Sequence, residues 1–208
     1  MVPRIIFKQY RKPHGIFGRL VGQRMARSNY RMSEWTIDLL DLSISDHILE
    51  IGFGPGIAID LASKKITDGS IAGIDISKTM LKAATRRNCK AIKSGRVDLR
   101  FGSASSLPYS ENSFLKVFAI HCIYFWTDPK TVLKKIYSIL HPGGLIAITI
   151  MPKSKWSDAI SPPADLFSLY SSQEIEELLK ESGFVDPRIE IFPRQDLFPG
   201  ECIIGNAK

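Results

Sequence analysis

The chain has 208 residues, 44% of them apolar and 24% charged, with a formal net charge of +7. That size and balance suit a globular domain with a full core and exclude a disordered or fibrous chain. No apolar run approaches the ~20 residues of a membrane-spanning helix, and Cys89, Cys122 and Cys202 lie too far apart for a disulfide framework or a zinc-ligand pattern.

No early apolar stretch with a small-residue cleavage site is present, which predicts an unsecreted, cytoplasmic protein with reduced thiols and no bound metal. The charge is unevenly placed. Residues 1–33 hold Arg4, Lys8, Arg11, Lys12, Arg19, Arg24, Arg27 and Arg31 and no acid, while the remaining 20 of the 28 basic residues are matched by all 21 acidic ones. A cationic N-terminal segment therefore precedes a neutral body. Such a segment suits contact with a membrane surface or another anion, although most basic helices only solvate one face of a lid.

In chain order, Leu20, Val21 and Met25 recur near helical spacing, and Met32, Trp35, Leu39 and Leu40 mark a second amphipathic helix. His47–Ile51 reads as a strand that ends in glycines, with a helix starting at Ile57, Ala58 and Leu61. The Asp68-Gly69 turn leads to a strand over Ile71–Ile76. Ser77 then caps a helix that carries Met80, Leu81, Ala84 and Ala91 inward. Val97–Phe101 and Phe114–Ile120 read as strands three and four. Asp128-Pro129 starts the next helix, Val132, Leu133, Ile136 and Leu140 give its apolar face, and Pro142-Gly143-Gly144 stops it before a fifth strand at Leu145–Ile150. Beyond the stretch Met151–Leu169, Ser171 and Glu174 form a capping-box pair for a helix with Ile175, Leu178 and Leu179 inside and Gly183 at its end. Strands near Arg188–Phe192 and Cys202–Gly205 close the chain.

This alternation predicts an α/β fold: a Rossmann-like, doubly wound, seven-stranded and mostly parallel sheet with a C-terminal antiparallel strand and helices on both faces. Residues 1–208 read as one domain, with 1–42 a basic helical lid segment, 43–208 the core and 151–170 an insert on the substrate side.

The segment Leu49-Glu50-Ile51-Gly52-Phe53-Gly54-Pro55-Gly56 sits where strand one turns into a helix. Glycines there let the backbone pass close to a ligand and aim amide N–H groups at it. Two details narrow the ligand. Counting from Gly52, the third glycine of a dinucleotide fingerprint is replaced by Ile57. An acid, Glu50, stands two residues before the turn, which suits a cationic amino group and would repel a pyrophosphate.

These residues resemble motif I of class I S-adenosylmethionine-dependent methyltransferases, especially the small-molecule group that includes ubiquinone and menaquinone C-methyltransferases. Over about residues 30–150 the likeness extends to Gly73-Ile74-Asp75-Ile76-Ser77, Leu107-Pro108-Tyr109 with Asn112-Ser113-Phe114, and Leu140-His141-Pro142-Gly143-Gly144. The resemblance implies S-adenosylmethionine as cofactor, with Asp75 on the ribose hydroxyls and Gly52, Phe53, Gly54 and Gly56 at the turn. It also implies Glu50 beside the amino group, and Ile76, Met80, Ser103, Ala104 and His121 around the rest. Ser103 departs from the family's usual Asp at that place. An uncharged acceptor there gives up about 1.5–3 kcal/mol, a roughly ten- to hundred-fold weaker donor.

His121, after strand four, is a candidate general base and equally a packing histidine. Tyr124, Phe125 and Trp126 read as aromatic wall, and His47 and His141 as structural or exposed. The expected reaction is in-line methyl transfer to a small, partly hydrophobic acceptor under the N-terminal helices and an insert bearing Trp156, Leu166 and Phe167. Ala119-Ile120-His121-Cys122 lacks the Asn/Asp-Pro-Pro box of base amino methylases and the Pro-Cys of cytosine methylases, so a nucleic-acid partner is disfavoured. A donor-binding module without turnover, favoured by Ser103, and a nucleic-acid enzyme guided by the basic N-terminus are the alternatives. Acceptor atom and oligomeric state are left open.

Overall fold

The computed structural model describes residues 3–157, 161–194 and 199–208. Seven strands form one sheet: β1 (His47–Ile51), β2 (Ser70–Asp75), β3 (Val97–Phe101), β4 (Phe114–Ile120), β5 (Leu140–Ile150), β6 (Val185–Ile191) and β7 (Glu201–Asn206). Their order is β3-β2-β1-β4-β5-β7-β6. The pairings from β3 through β5 are parallel, and β7 runs antiparallel to both β5 and β6.

Strand alternation distributes the core over both faces of this sheet. Leu49, Ile51, Ile74, Val117, Ile146 and Ile148 face α7 (Pro129–Ile139) and α8 (Ser172–Glu181). Ile48, Ile71, Phe118 and Ala147 face α3 (Tyr30–Leu39), α4 (Ile57–Lys65), α5 (Lys78–Arg87) and α6 (Cys89–Lys93). The caps fall where the sequence puts them. Ser77 accepts the Met80 amide, Asp128 accepts that of Thr131, and Ser171 and Glu174 form a reciprocal capping box.

Three expectations need revision. The helix after Ser77 does not run through to Ala91. It breaks at Asn88, whose side-chain amide donates to the carbonyls of Ala84 and Gly56 at 3.0 and 3.1 Å. Pro142-Gly143-Gly144 lies inside the span of β5, across a register slip, and regular pairing with β4 resumes at Leu145. The N-terminus holds three helices: α1 (Arg4–Arg11), α2 (Gly15–Ser28) and α3. Leu20, grouped by spacing with Val21 and Met25, points outward while Val21 is buried. The insert places Trp156 and Phe167 inward, and its residues 158–160 lie outside the described residues. Among the described residues no helix is long and apolar enough to cross a membrane.

Candidate active site

Parallel pairing brings the C-terminal ends of β1, β2 and β4 to one edge of the sheet. The chain leaves β1 through Gly52, whose amide still donates to the carbonyl of Ile74 at 2.8 Å. Gly52 has φ +76°, and a Cβ there would collide with Sγ of Cys122. Only glycine fits that position. At Gly54, φ +51°, the amide donates to Oδ2 of Asp75 at 2.8 Å, while Ser77 N–H donates to Oδ1 at 2.7 Å. One carboxylate at the end of β2 thus holds the glycine turn and the start of α5.

Two buried acids meet here. Glu50 is 3% exposed, and burial, with the nearby Asp75, pushes its carboxyl up to about 8. Burial also raises Asp75, opposed by its two amide bonds. Oε2 of Glu50 has no hydrogen-bond partner among the described residues. A buried oxygen left that way costs about 1–3 kcal/mol. A ligand amino group would recover it, so the donor set fits a cation with N–H groups to give.

A cavity of about 740 Å³ opens at this edge. Glu50, Gly52, Phe53, Gly54, Asp75, Ile76, Met80, Ser103, Ala104 and His121 all line it. Gly56 does not: it caps α4 in the left-handed region behind the wall, packed on Ala84 and Asn88. Phe53 is buried over Gly73, where a Cβ would stand 2.8 Å from its ring. Ser103 accepts the Ser105 amide at 3.3 Å and its hydroxyl meets Ser105 Oγ at 2.9 Å, so it shapes its own turn.

His121 follows β4 with φ +51°, its amide donating to Thr149. Its Nδ1 is 3.4 Å from the hydroxyl of Tyr124, and the two rings stack with centroids 6.2 Å apart. Burial holds the imidazole down at about 4, so it is neutral at physiological pH. The Tyr124 hydroxyl is itself fixed, accepting from Met151 N–H at 2.6 Å and donating to Met151 O at 3.2 Å.

Beyond His121 the wall turns aromatic. Phe167 sits among Phe125 (centroids 4.7 Å), Phe7 (5.7 Å) and Tyr124 (6.2 Å), and Trp156 packs against Tyr124. Phe7, Tyr10, Arg11 and Pro13, which also line the cavity, come from α1 and the link after it, and were missed from sequence. Their signal was Phe7 and Tyr10 at i and i+3, too short to show a period. Asp128, read only as a cap, also lines the cavity.

A doubly wound sheet with a glycine turn, two acids at the ends of its first two strands and this cavity beside them defines an S-adenosylmethionine-dependent methyltransferase. The description of the methyltransferase domain matches residues 49–148. An uncharacterised methyltransferase of Bacillus subtilis, YdaC, is 35% identical over 189 residues, which are 91% of this chain and 97% of YdaC. The O-methyltransferase resE of Aspergillus sclerotiorum is 31% identical over 78% of this chain and 63% of its own length. Among solved structures, Haemonchus contortus phosphoethanolamine N-methyltransferase 2 in complex with S-adenosylmethionine superposes with a TM-score of 0.78. It is 18% identical, and the match covers 100% of this chain and 60% of that one. The chain belongs to the S-adenosylmethionine-dependent methyltransferase family, and S-adenosylmethionine is its cofactor.

Proposed function

We propose that the protein methylates a small, partly apolar acceptor by in-line displacement inside this cavity. The observation that carries the reading is that one cavity joins an end lined by acids and glycines to an end lined by aromatic rings. At the first end, Glu50 with its unpartnered oxygen suits an ammonium group and Asp75 suits ribose hydroxyls. Phe53, Ile76, Met80, Ser103 and Ala104 offer the flat apolar surround of an adenine. S-adenosylmethionine, when bound, supplies a methyl group on a sulfonium, which is already an activated leaving group.

The protein's remaining task is orientation, an effect of about 7–11 kcal/mol when the reacting atoms are well aligned. Helix α1 and the insert residues Trp156 and Phe167 cover the acceptor end, where Phe7, Tyr124, Phe125 and Phe167 exclude water and hold an apolar body. His121 does not serve as the base. An imidazole held at about 4 is a weak proton acceptor near neutrality, and a cation alongside lowers it further. Its neutral ring, stacked on Tyr124, positions the wall. The acceptor atom must therefore be nucleophilic as it binds.

The experiment is label transfer from methyl-labelled S-adenosylmethionine to a panel of small phenols, hydroxy acids and amines, with RNA and bulk protein alongside. The O-methyltransferase relative puts phenols, which can bind as phenolates with their proton already lost to solvent, first in that panel. Transfer to a small apolar compound supports the reading. Transfer confined to RNA or protein, or donor binding with no transfer to any of them, overturns it.

A further inference from the structure

Helix α2 carries its side chains the opposite way round from an ordinary surface helix. Its inner face is small. A Cβ on Gly18 would stand 2.7 Å from the carbonyl carbon of Pro13, and one on Gly22 would stand 2.6 Å from Cε of Met80; Val21 is buried beside them. Its large apolar residues face out, with Ile16 79%, Phe17 48% and Leu20 58% exposed. Leu20 stands four residues on from Ile16 and three on from Phe17, spacings that are neighbours on a helix surface, so these three form one patch. The same row continues to Arg24, which lines the cavity, and Arg27.

The pose is fixed at its start. Ser77 Oγ donates to the carbonyl of Pro13 at 2.5 Å, and the His14 amide donates to Oε1 of Gln9 at 2.9 Å. Close glycine packing then leaves α2 no room to turn its outer face inward. A solvated lid gains nothing from presenting Ile, Phe and Leu to water.

We propose that Ile16, Phe17 and Leu20, with the cations around them, form a docking surface for anionic lipid bilayers. Arg19, three residues on from Ile16, Arg24 and Arg27 are exposed on the same helix, and residues 1–33 contain no acid. Apolar tips among cations match such a surface in both respects: the tips enter the boundary between headgroups and acyl chains, and the cations meet lipid phosphates. A nucleic acid would engage the cations and leave the aliphatic tips in water. A second copy would press the cations of α2, Arg19, Arg24 and Arg27, against their own like charges. No helix among the described residues is built to cross the membrane, so the attachment is peripheral.

The test is co-sedimentation of the full chain with vesicles of equal phosphatidylglycerol and phosphatidylcholine, against phosphatidylcholine alone. Phe17→Ser/Leu20→Ser is the variant, since neither residue lines the cavity. Partitioning should fall about tenfold or more on removing the anionic lipid and again by about tenfold in the variant. S-adenosylhomocysteine affinity, read by calorimetry, should be unchanged in the variant, which shows that it folds. Three results would overturn the proposal: no binding to anionic vesicles, binding that the variant retains in full, or a wild-type dimer by light scattering that the variant breaks. Tighter binding to a short RNA than to the vesicles would transfer the surface to nucleic acid.

Discussion

Asp75 and Gly54 are joined by a 2.8 Å hydrogen bond in which the amide of the glycine turn donates to the carboxylate at the end of the neighbouring strand. The same carboxylate accepts from Ser77 at 2.7 Å and lines the cavity. It is therefore the clamp on the turn, and it is the acid proposed to hold the donor's ribose. Asp75→Ala orphans two amides and should cost about 1–3 kcal/mol of stability. It should also weaken S-adenosylhomocysteine at least about hundredfold, since a charged acceptor and the turn are lost together. Asp75→Asn, which keeps one accepting oxygen, should fall between. Thermal unfolding and calorimetric titration read the two effects, and unchanged affinity in Asp75→Ala would remove Asp75 from the binding site.

Glu50 makes the stability of the ligand-free protein depend on pH. Its folded carboxyl sits at about 8 against an ordinary value of 4.5. Between those values the folded state keeps a proton that the unfolded state has released. Its contribution is thus full below 4.5 and is lost as pH rises through about 8. Glu50→Gln should be more stable than wild type at pH 8.5, by up to about 5 kcal/mol, with the gap closing toward pH 4.5. Because a cation favours the ionised form, donor binding at pH 7 should also release a proton in the wild type and not in the variant. Unfolding curves across pH, and titrations in buffers of differing ionisation heat, measure both. A gap that does not change with pH would contradict the assignment.

Most of this architecture was legible because it is written in local rules. The start and end of β1, the Ser77, Asp128 and Ser171 caps, and the positions of β2 to β4 follow from apolar runs bounded by turn and cap residues. The glycine-turn end of the cavity was equally legible, since Glu50, Gly52, Gly54 and Asp75 sit at strand ends that a parallel sheet must bring together. The acceptor end was not. Phe7, Tyr10 and Arg11 come from a helix of eight residues, too short to show a period, and reach the cavity only through the fold. Leu20 marks the limit of spacing. Spacing marks which residues share a face, but only the packing of Gly18 and Gly22 against Pro13 and Met80 decides which face is inside.

Ser103 offers a gain instead of a loss. Its hydroxyl accepts the Ser105 amide at 3.3 Å and lines the cavity beside Ala104. Aspartate can accept the same amide and adds a charged acceptor toward an adenine amino group. Ser103→Asp should tighten S-adenosylhomocysteine by roughly tenfold, the value of a charge-assisted bond over a neutral one. Calorimetry measures it, and no gain would place the adenine away from this turn.

Phe167 separates the two ends of the cavity by experiment. Its ring is 5% exposed and meets Phe125 edge-on at 4.7 Å and Phe7 at 5.7 Å, joining the insert to α1. The ion pair between Arg4 and Asp165 ties the same two segments at the surface and adds little, being exposed. Removing the ring should therefore open the acceptor end while leaving the glycine turn intact. Phe167→Ala should lose about 3 kcal/mol of stability, and Phe167→Leu, which keeps most of the volume, about half that. Both should raise the acceptor KM, and both should leave S-adenosylhomocysteine affinity within about threefold of wild type, a shift under 1 kcal/mol. If donor affinity falls as far as acceptor affinity in the leucine variant, the two ends are one site and the division of labour proposed for the cavity fails.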